Sequence, residues 1–417
     1  MNPTKIISAL FILLILMSLS CIRNKSNQLL TPAYRVNLID SLLNTAVKNN
    51  EIPGAVVYIS RYGKEVFHKS YGYRNPGNNI PLQKDDIFRM ASMTKALTAI
   101  AVLQLYERGL LFPDDNVSKY IPEFMNPRIL IKVLPDSGFT SKPASSQITI
   151  RQLLTHTSGI GYGFQDERYN ALVMKNNISE GFEDDDRTSL ENIQRIAKLP
   201  LLCEPGEKYT YSLSYDVLGV VIETISGMRY DKYIKQYILD PLSMGDSYFI
   251  VPEKEQYRLV RAYQPAETGY GLEPTTYPDT AYPNIKSRQY FSGGADLCST
   301  AQDYGKFIQM IQNKGIYNNR RIIGERFIEM MLSKQTSLDD GGYDQGFAAW
   351  VTNAKGAAEG PMSIGSFGFG GFWDTYGWAD PAGNFVAVLL LQMYPSNQHK
   401  IHEKFKVITY GVIDDLE

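Results

Sequence analysis

Apolar positions follow a strand-like period near both ends of the chain and a helical period between them. Residues 35–50 come first, with Leu38, Ile39, Leu42, Leu43 and Val47 on one helical stripe that Pro53-Gly54 ends. Residues 55–60 and 65–71 predict two strands around Tyr62-Gly63, a β-hairpin signal. From residue 92 the helical period takes over. The pattern predicts a strongly apolar helix over 92–111 and a short one over 148–155 that ends at Thr157-Ser158-Gly159. A second strong helix spans 213–226, closed by Gly227, and another spans 228–240. Residues 299–314 are amphipathic, with Tyr304, Phe307, Ile308 and Ile311 on one face. Strands return at 373–379 and 384–393 around an Asp380-Pro381-Ala382-Gly383 turn, and 399–416 predict a last helix.

This order predicts an α+β fold: an antiparallel sheet from both chain ends, flanked by helices, plus a mainly helical inserted domain. The sheet domain is expected at 34–115 and 290–417, and the helical domain at 116–289. The proline-bearing segment 125–147 reads as a surface loop, and the acidic segment 175–190 as a solvated one.

Ser92-Met93-Thr94-Lys95 changes the picture from fold to chemistry. Positions i and i+3 share a helix face, so the Lys95 amine is expected beside the Ser92 hydroxyl. A serine becomes a useful nucleophile only with a neighbouring base. The helix start adds backbone N–H donors and partial positive charge. Among the serines, Ser92 alone has a lysine three residues on. The alternative is a serine near a helix start with a solvated lysine one turn later.

Two further segments can complete such a site. Pro205-Gly206 precedes Tyr209-Thr210-Tyr211-Ser212 on a loop before a buried helix. A tyrosine beside an ammonium can shuttle a proton to a leaving group, and Tyr211 is the candidate; otherwise it caps the helix. Gly368-Phe369-Gly370-Gly371-Phe372-Trp373 opens a strand, where glycines let another backbone or a substrate approach closely. A backbone N–H there, with that of Ser92, can form an oxyanion site; otherwise this is a glycine-rich turn. His156, in Leu153-Leu154-Thr155-His156-Thr157-Ser158-Gly159, has no acidic residue next to it. It is expected to bond backbone carbonyls at a helix end rather than serve in a triad.

Composition narrows the class. The 417 residues suffice for one large domain or two interlocked ones, and the net charge of -2 gives no basic field for nucleic acid. A short polar start precedes an apolar run at 6–17 and Ser18-Leu19-Ser20-Cys21. This predicts a signal peptide over 1–20, too short for a comfortable membrane span. Cys21 resembles a lipobox cysteine, although Ser18 stands where a leucine is usual. The expectation is a lipid anchor on Cys21 with 21–33 as tether, in the periplasm or cell envelope of a bacterium; cleavage by the ordinary signal peptidase is the alternative. Cys203 and Cys298 are expected as buried thiols, with a disulfide open. His68, His156, His399 and His402 are scattered, and no zinc, Walker or Rossmann signature occurs. No metal or cofactor is expected.

Six blocks in order, IPGAVVYISRYGK, FRMASMTKALTA, ITIRQLLTHTSGIGYGF, PGEKYTYSLSYDVLGVVIE, FSGGADLCSTAQDYGKFIQM and FGFGGFWDTYGWADP, cover about 35 to 412. Together they resemble the serine β-lactamase and penicillin-binding-protein superfamily in its class C-like branch. The resemblance implies a β-lactamase/transpeptidase-like fold. It implies that Ser92 is the acylated nucleophile, Lys95 its activating partner, and Tyr211 the general acid or base. It places the oxyanion donors at the N–H groups of Ser92 and Phe372.

Two departures bear on substrate. Leu213 replaces the asparagine of Tyr-x-Asn, and Phe369 replaces the cation of the Lys-Thr-Gly motif, which falls on Phe369-Gly370-Gly371. A lost charge-assisted contact weakens binding about tenfold to a hundredfold. These changes look like the family VIII esterases and point to a neutral ester, with Phe369, Gly370, Gly371, Leu213, Phe372 and Trp373 around the substrate. The alternatives are a D-amino-acid-directed peptidase or weak β-lactamase, and a non-catalytic, membrane-tethered binding or sensor protein.

Overall fold

The computed structural model describes residues 31–135, 138–182, 186–268, 271–277, 282–284, 288–337, 341–395 and 399–416. The expected signal peptide, Cys21 and most of the tether lie outside these residues. No helix among the described residues is long and apolar enough to cross a membrane.

Nine antiparallel strands form one sheet: β1 (Gly54–Arg61), β2 (Lys64–Asn75), β3 (Ile80–Pro81), β4 (Thr336–Ser337), β5 (Tyr343–Gln345), β6 (Trp350–Thr352), β7 (Phe367–Gly371), β8 (Thr375–Asp380) and β9 (Phe385–Leu390). Their order is β4-β5-β6-β7-β8-β9-β1-β2-β3, so the two chain ends meet where β9 pairs with β1 and Val57 faces Leu389. Both strands are buried on both faces, which explains their nearly continuous apolar sequences. Tyr62 and Gly63 both take positive φ, 50° and 75°, which suits a tight hairpin between β1 and β2.

Five helices matter for the site: α1 (Pro32–Lys48), α2 (Thr94–Glu107), α3 (Ser214–Ser226), α4 (Ala301–Gln312) and α5 (His399–Val412). α1 and α5 pack together over one face of the sheet, where Ala55, Val57 and Trp378 point. α4 covers the other face, toward Val56, Val388 and Phe367. α2 is buried on every side from Thr94 to Leu105 and packs on α3. A helix apolar all round belongs in a core, which is what its sequence demands.

Several boundaries differ from expectation. α1 starts at Pro32, inside the expected tether, because Thr31 caps it through the Tyr34 N–H. α2 stops at Glu107 rather than 111: Gly109 takes φ 69°, and Leu110 N–H reaches back to Leu105 O, a Schellman closure. The predicted helix at 228–240 is an α-turn, Tyr230–Ile234, followed by a wider π-turn, Lys235–Leu239.

Segment 125–147 is not a loop. It holds a hairpin of Arg128–Val133 and Phe139–Pro143, and Leu201 exchanges backbone bonds with Arg128 and Leu130. Segment 175–190 is not simply solvated either: Ile178, Ser179 and Phe182 are buried, and Asn192 accepts from Ser179 N–H. Cys203 and Cys298 are separate buried thiols, and burial pushes Cys298 up to about 12.

Candidate active site

Ser92 lies in a single 3₁₀ turn, Ala91–Met93, that leads into α2. Ala91 is buried and left-handed, with φ 45°, a conformation costly for a residue with a Cβ. Neighbours hold it there. Met90 N–H donates to Leu297 O at 2.8 Å, and Thr94 Oγ1 accepts from Leu297 N–H at 3.0 Å. The end of β7 presses on the other side. A Cβ at Gly371 would lie 2.3 Å from Met90 O, so only glycine lets this strand approach.

Lys95 is 3% exposed, one turn after Ser92. Its Nζ donates to Ser92 Oγ at 3.2 Å, to Gly294 O at 2.9 Å and to Tyr162 OH at 3.3 Å. Tyr211 OH donates to Ser92 Oγ at 2.5 Å, and the Lys95 ammonium lies 4.8 Å from the Tyr211 ring centre. The serine oxygen therefore touches both a lysine nitrogen and a tyrosine hydroxyl.

Buried groups behind this trio hold it in place. The His156 ring lies 4.6 Å from that of Tyr211, and its Nδ1 accepts from Ser212 N–H at 3.2 Å. Burial, and then the Lys95 charge, hold His156 well below the usual histidine range. The ring thus bonds Ser212 and backs Tyr211, instead of bonding carbonyls as expected. Asp216 is buried and accepts from Tyr290 OH and Ser292 Oγ, each at 2.5 Å. A Cβ at Gly294 would stand 2.7 Å from Asp216 Oδ2 and 3.3 Å from Lys95 Nζ, so carboxylate and ammonium flank the same glycine. Burial pushes Asp216 up, opposed by Ser292, Tyr290 and the Lys95 charge.

Two spaces open on Ser92. The larger, about 480 Å³, is bounded by Gly370, Gly371 and Phe372 at the end of β7, by β8, and by His402, Glu403 and Lys406 of α5. The smaller, about 90 Å³, is an aromatic recess of Tyr162, Phe164, Phe182, Tyr277 and Phe372. A third cavity of about 490 Å³ lies beside Arg89 and Arg261 and does not include Ser92.

Ser92, Lys95, Tyr211, Gly370, Gly371 and Phe372 are thus brought together. Phe369, Leu213 and Trp373 are not in contact with either space. Phe369 shares a strand face with Phe367 and packs toward Tyr304 and Phe307 of α4. Leu213 is 1% exposed, in the core at the start of α3. Trp373 is equally buried and backs Phe182 and Phe372. Sequence reasoning missed Tyr162, Phe182, Asp216 and the α5 side chains. Tyr162 and Asp216 fall inside blocks already singled out; Phe182 and the α5 side chains carry no local signal.

A beta-lactamase family profile matches residues 39–407. Esterase EstB of Burkholderia gladioli is 29% identical over 366 residues, spanning 84% of this chain and 89% of its own. Protein Rv1367c of Mycobacterium tuberculosis is 28% identical over 366 residues, spanning 82% and 86%. Among solved structures, EstCE1, a hydrolase with promiscuous acyltransferase activity, superposes with a TM-score of 0.79 over 91% of this chain and 98% of its own, at 23% identity. Simvastatin synthase LovD from Aspergillus terreus superposes at 0.76, over 90% and 98%, at 23% identity. These likenesses carry the fold that the sheet order, the central buried helix and the Ser92 turn describe. On the profile match over most of its length, the chain belongs to the beta-lactamase family.

Proposed function

We propose that this protein is a serine hydrolase that cleaves carboxylic esters through an acyl-enzyme on Ser92. One observation carries the reading: Tyr211, 119 residues away in sequence, meets Ser92 Oγ at 2.5 Å while Lys95 meets the same oxygen at 3.2 Å. That is a nucleophile with two proton-handling partners in place. The esterase among its relatives supports the choice of ester.

With the Lys95–Tyr211 pair one proton short, Ser92 Oγ attacks the ester carbonyl as its proton passes to that pair. The N–H groups of Ser92 and Phe372 hold the oxyanion. The tetrahedral intermediate collapses, and the alcohol leaves with a proton from Tyr211. Water then attacks the acyl-enzyme through the same groups, which releases the acid and restores Ser92. The positions of the asparagine and cation that would hold a β-lactam carry buried apolar side chains, Leu213 and Phe369. The N-terminal sequence further supports export and anchoring through a lipid on Cys21.

The test is hydrolysis of p-nitrophenyl acetate and butyrate beside nitrocefin, by wild type and Ser92→Ala. Ester turnover lost in Ser92→Ala, with nitrocefin barely touched, is expected. Fast nitrocefin turnover would instead make this a β-lactamase.

A further inference from the structure

Lys406 lies on the wall of the Ser92 cavity and makes no ion pair within 4 Å among the described residues. It lies one turn beyond His402 on α5, and both side chains border the larger space. Its Nζ stands 5.4 Å from the Tyr376 ring centre and 5.8 Å from that of Trp350, two rings stacked 5.7 Å apart. Among the described residues it forms no ion pair or hydrogen bond, whereas Lys69 on β2 and Lys306 on α4 each pair with an aspartate. Burial pulls Lys406 below the usual lysine range, opposed by the charge of Glu403. A half-buried ammonium on the wall of the Ser92 cavity gains most from an anion in the cavity itself.

The neighbouring acids do not fill that place. Asp374 Oδ1 is held by His402 Nε2 at 2.7 Å. Glu403 borders the same cavity but is exposed on α5 and makes no ion pair with Lys406. Among the residues that line this cavity, Lys406 is the only Lys or Arg. β7 offers no cation, because Phe369 is buried in the core. A positive charge expected from that strand is therefore supplied by the C-terminal helix. With one lysine and two nearby acids, the site suits a singly charged carboxylate better than a dianionic phosphate.

We infer that one arm of the ester substrate carries a carboxylate, which Lys406 binds in the larger cavity. This rests on the ester-hydrolase reading and departs from the sequence-based expectation of a neutral substrate. The expected gain for a charge-assisted contact is about tenfold in affinity.

Two isosteric pairs test it, one for each arm. Mono-p-nitrophenyl adipate against its terminal amide places the charge on the acyl side. 4-Acetoxybenzoate against 4-acetoxybenzamide places it on the alcohol side. In wild type, kcat/KM should favour the carboxylate about tenfold in at least one pair. Lys406→Met should bring that ratio near one, and Lys406→Arg should keep it. Calorimetry of the same four compounds on Ser92→Ala reads the preference without turnover. Binding preference without wild-type hydrolysis would keep this site and sink the hydrolase reading. Hydrolysis with no preference in either pair, or a preference unmoved by Lys406→Met, would sink the site.

Discussion

The two sides of Ser92 are built on different principles. Below it, the buried Lys95, His156 and Asp216 and the half-buried Tyr211 are fixed by several hydrogen bonds or close ring contacts each. Above it, the walls include side chains with exposed surface and few partners: Phe164 is 70% exposed, and Lys406 has no ion pair among the described residues. The floor is over-determined, so substitutions there should remove chemistry or stability. The walls are loosely held, so substitutions there should change which ester is taken.

The sharpest way to break this contrast is Tyr211→Phe. It removes only the hydroxyl that donates to Ser92 Oγ. Steady-state kinetics should show kcat down about 100- to 10,000-fold, with KM changed little. A variant with near-normal kcat would reduce Tyr211 to a structural cap.

Gly371→Ala probes how tightly the floor is packed. The added methyl meets Met90 O at 2.3 Å, within the turn that carries Ser92. Denaturant unfolding should show a loss of about 1–3 kcal/mol, together with reduced ester turnover. Unchanged stability would mean that β7 can withdraw from the turn freely.

Sequence foresaw the floor better than the walls, for physical reasons. Ser92 and Lys95 are one helical turn apart, so their meeting is a local consequence of α2. Gly227 at φ 68° ends α3 where the sequence marks it. Tyr211 was reached through its motif and its place before a buried helix. The directions of Phe369 and Trp373 could not be read, because they depend on which face of β7 and its following turn meets α4. The contribution of α5 is longer-range still. His402 and Lys406 border the Ser92 cavity only because β8 and β9 fold back beneath the C-terminal helix. The hairpin at Arg128–Val133 was hidden for the same reason, since it is completed by Leu201.

His156 tests the floor through pH. Its folded pKa is depressed by burial, so below about pH 6.5 the unfolded chain binds a proton that the folded protein refuses. Stability from this group is therefore present above that pH and is lost as pH falls, by up to about 1.4 kcal/mol per pH unit. His156→Gln keeps an acceptor for Ser212 N–H and lacks the titration. The stability gap between wild type and variant should narrow from pH 6.5 to 5 in thermal or urea unfolding. A constant gap would show that His156 does not titrate in that way.

The smallest effect belongs to the wall. Phe164 stacks on Tyr162 at 4.9 Å but is mostly exposed. Phe164→Ala should shift KM between short and long acyl esters by roughly fivefold or less and leave kcat near wild type. A large fall in kcat would place Phe164 in the floor and erase the distinction.

The central claim is the covalent intermediate on Ser92. Wild type and Ser92→Ala, quenched in acid during turnover of p-nitrophenyl butyrate, can be weighed intact by mass spectrometry. A mass gain of one butyryl group on wild type, mapped to the peptide containing Ser92 and absent from Ser92→Ala, is the predicted result. Ester turnover that persists in Ser92→Ala, or an adduct on another residue, would contradict it.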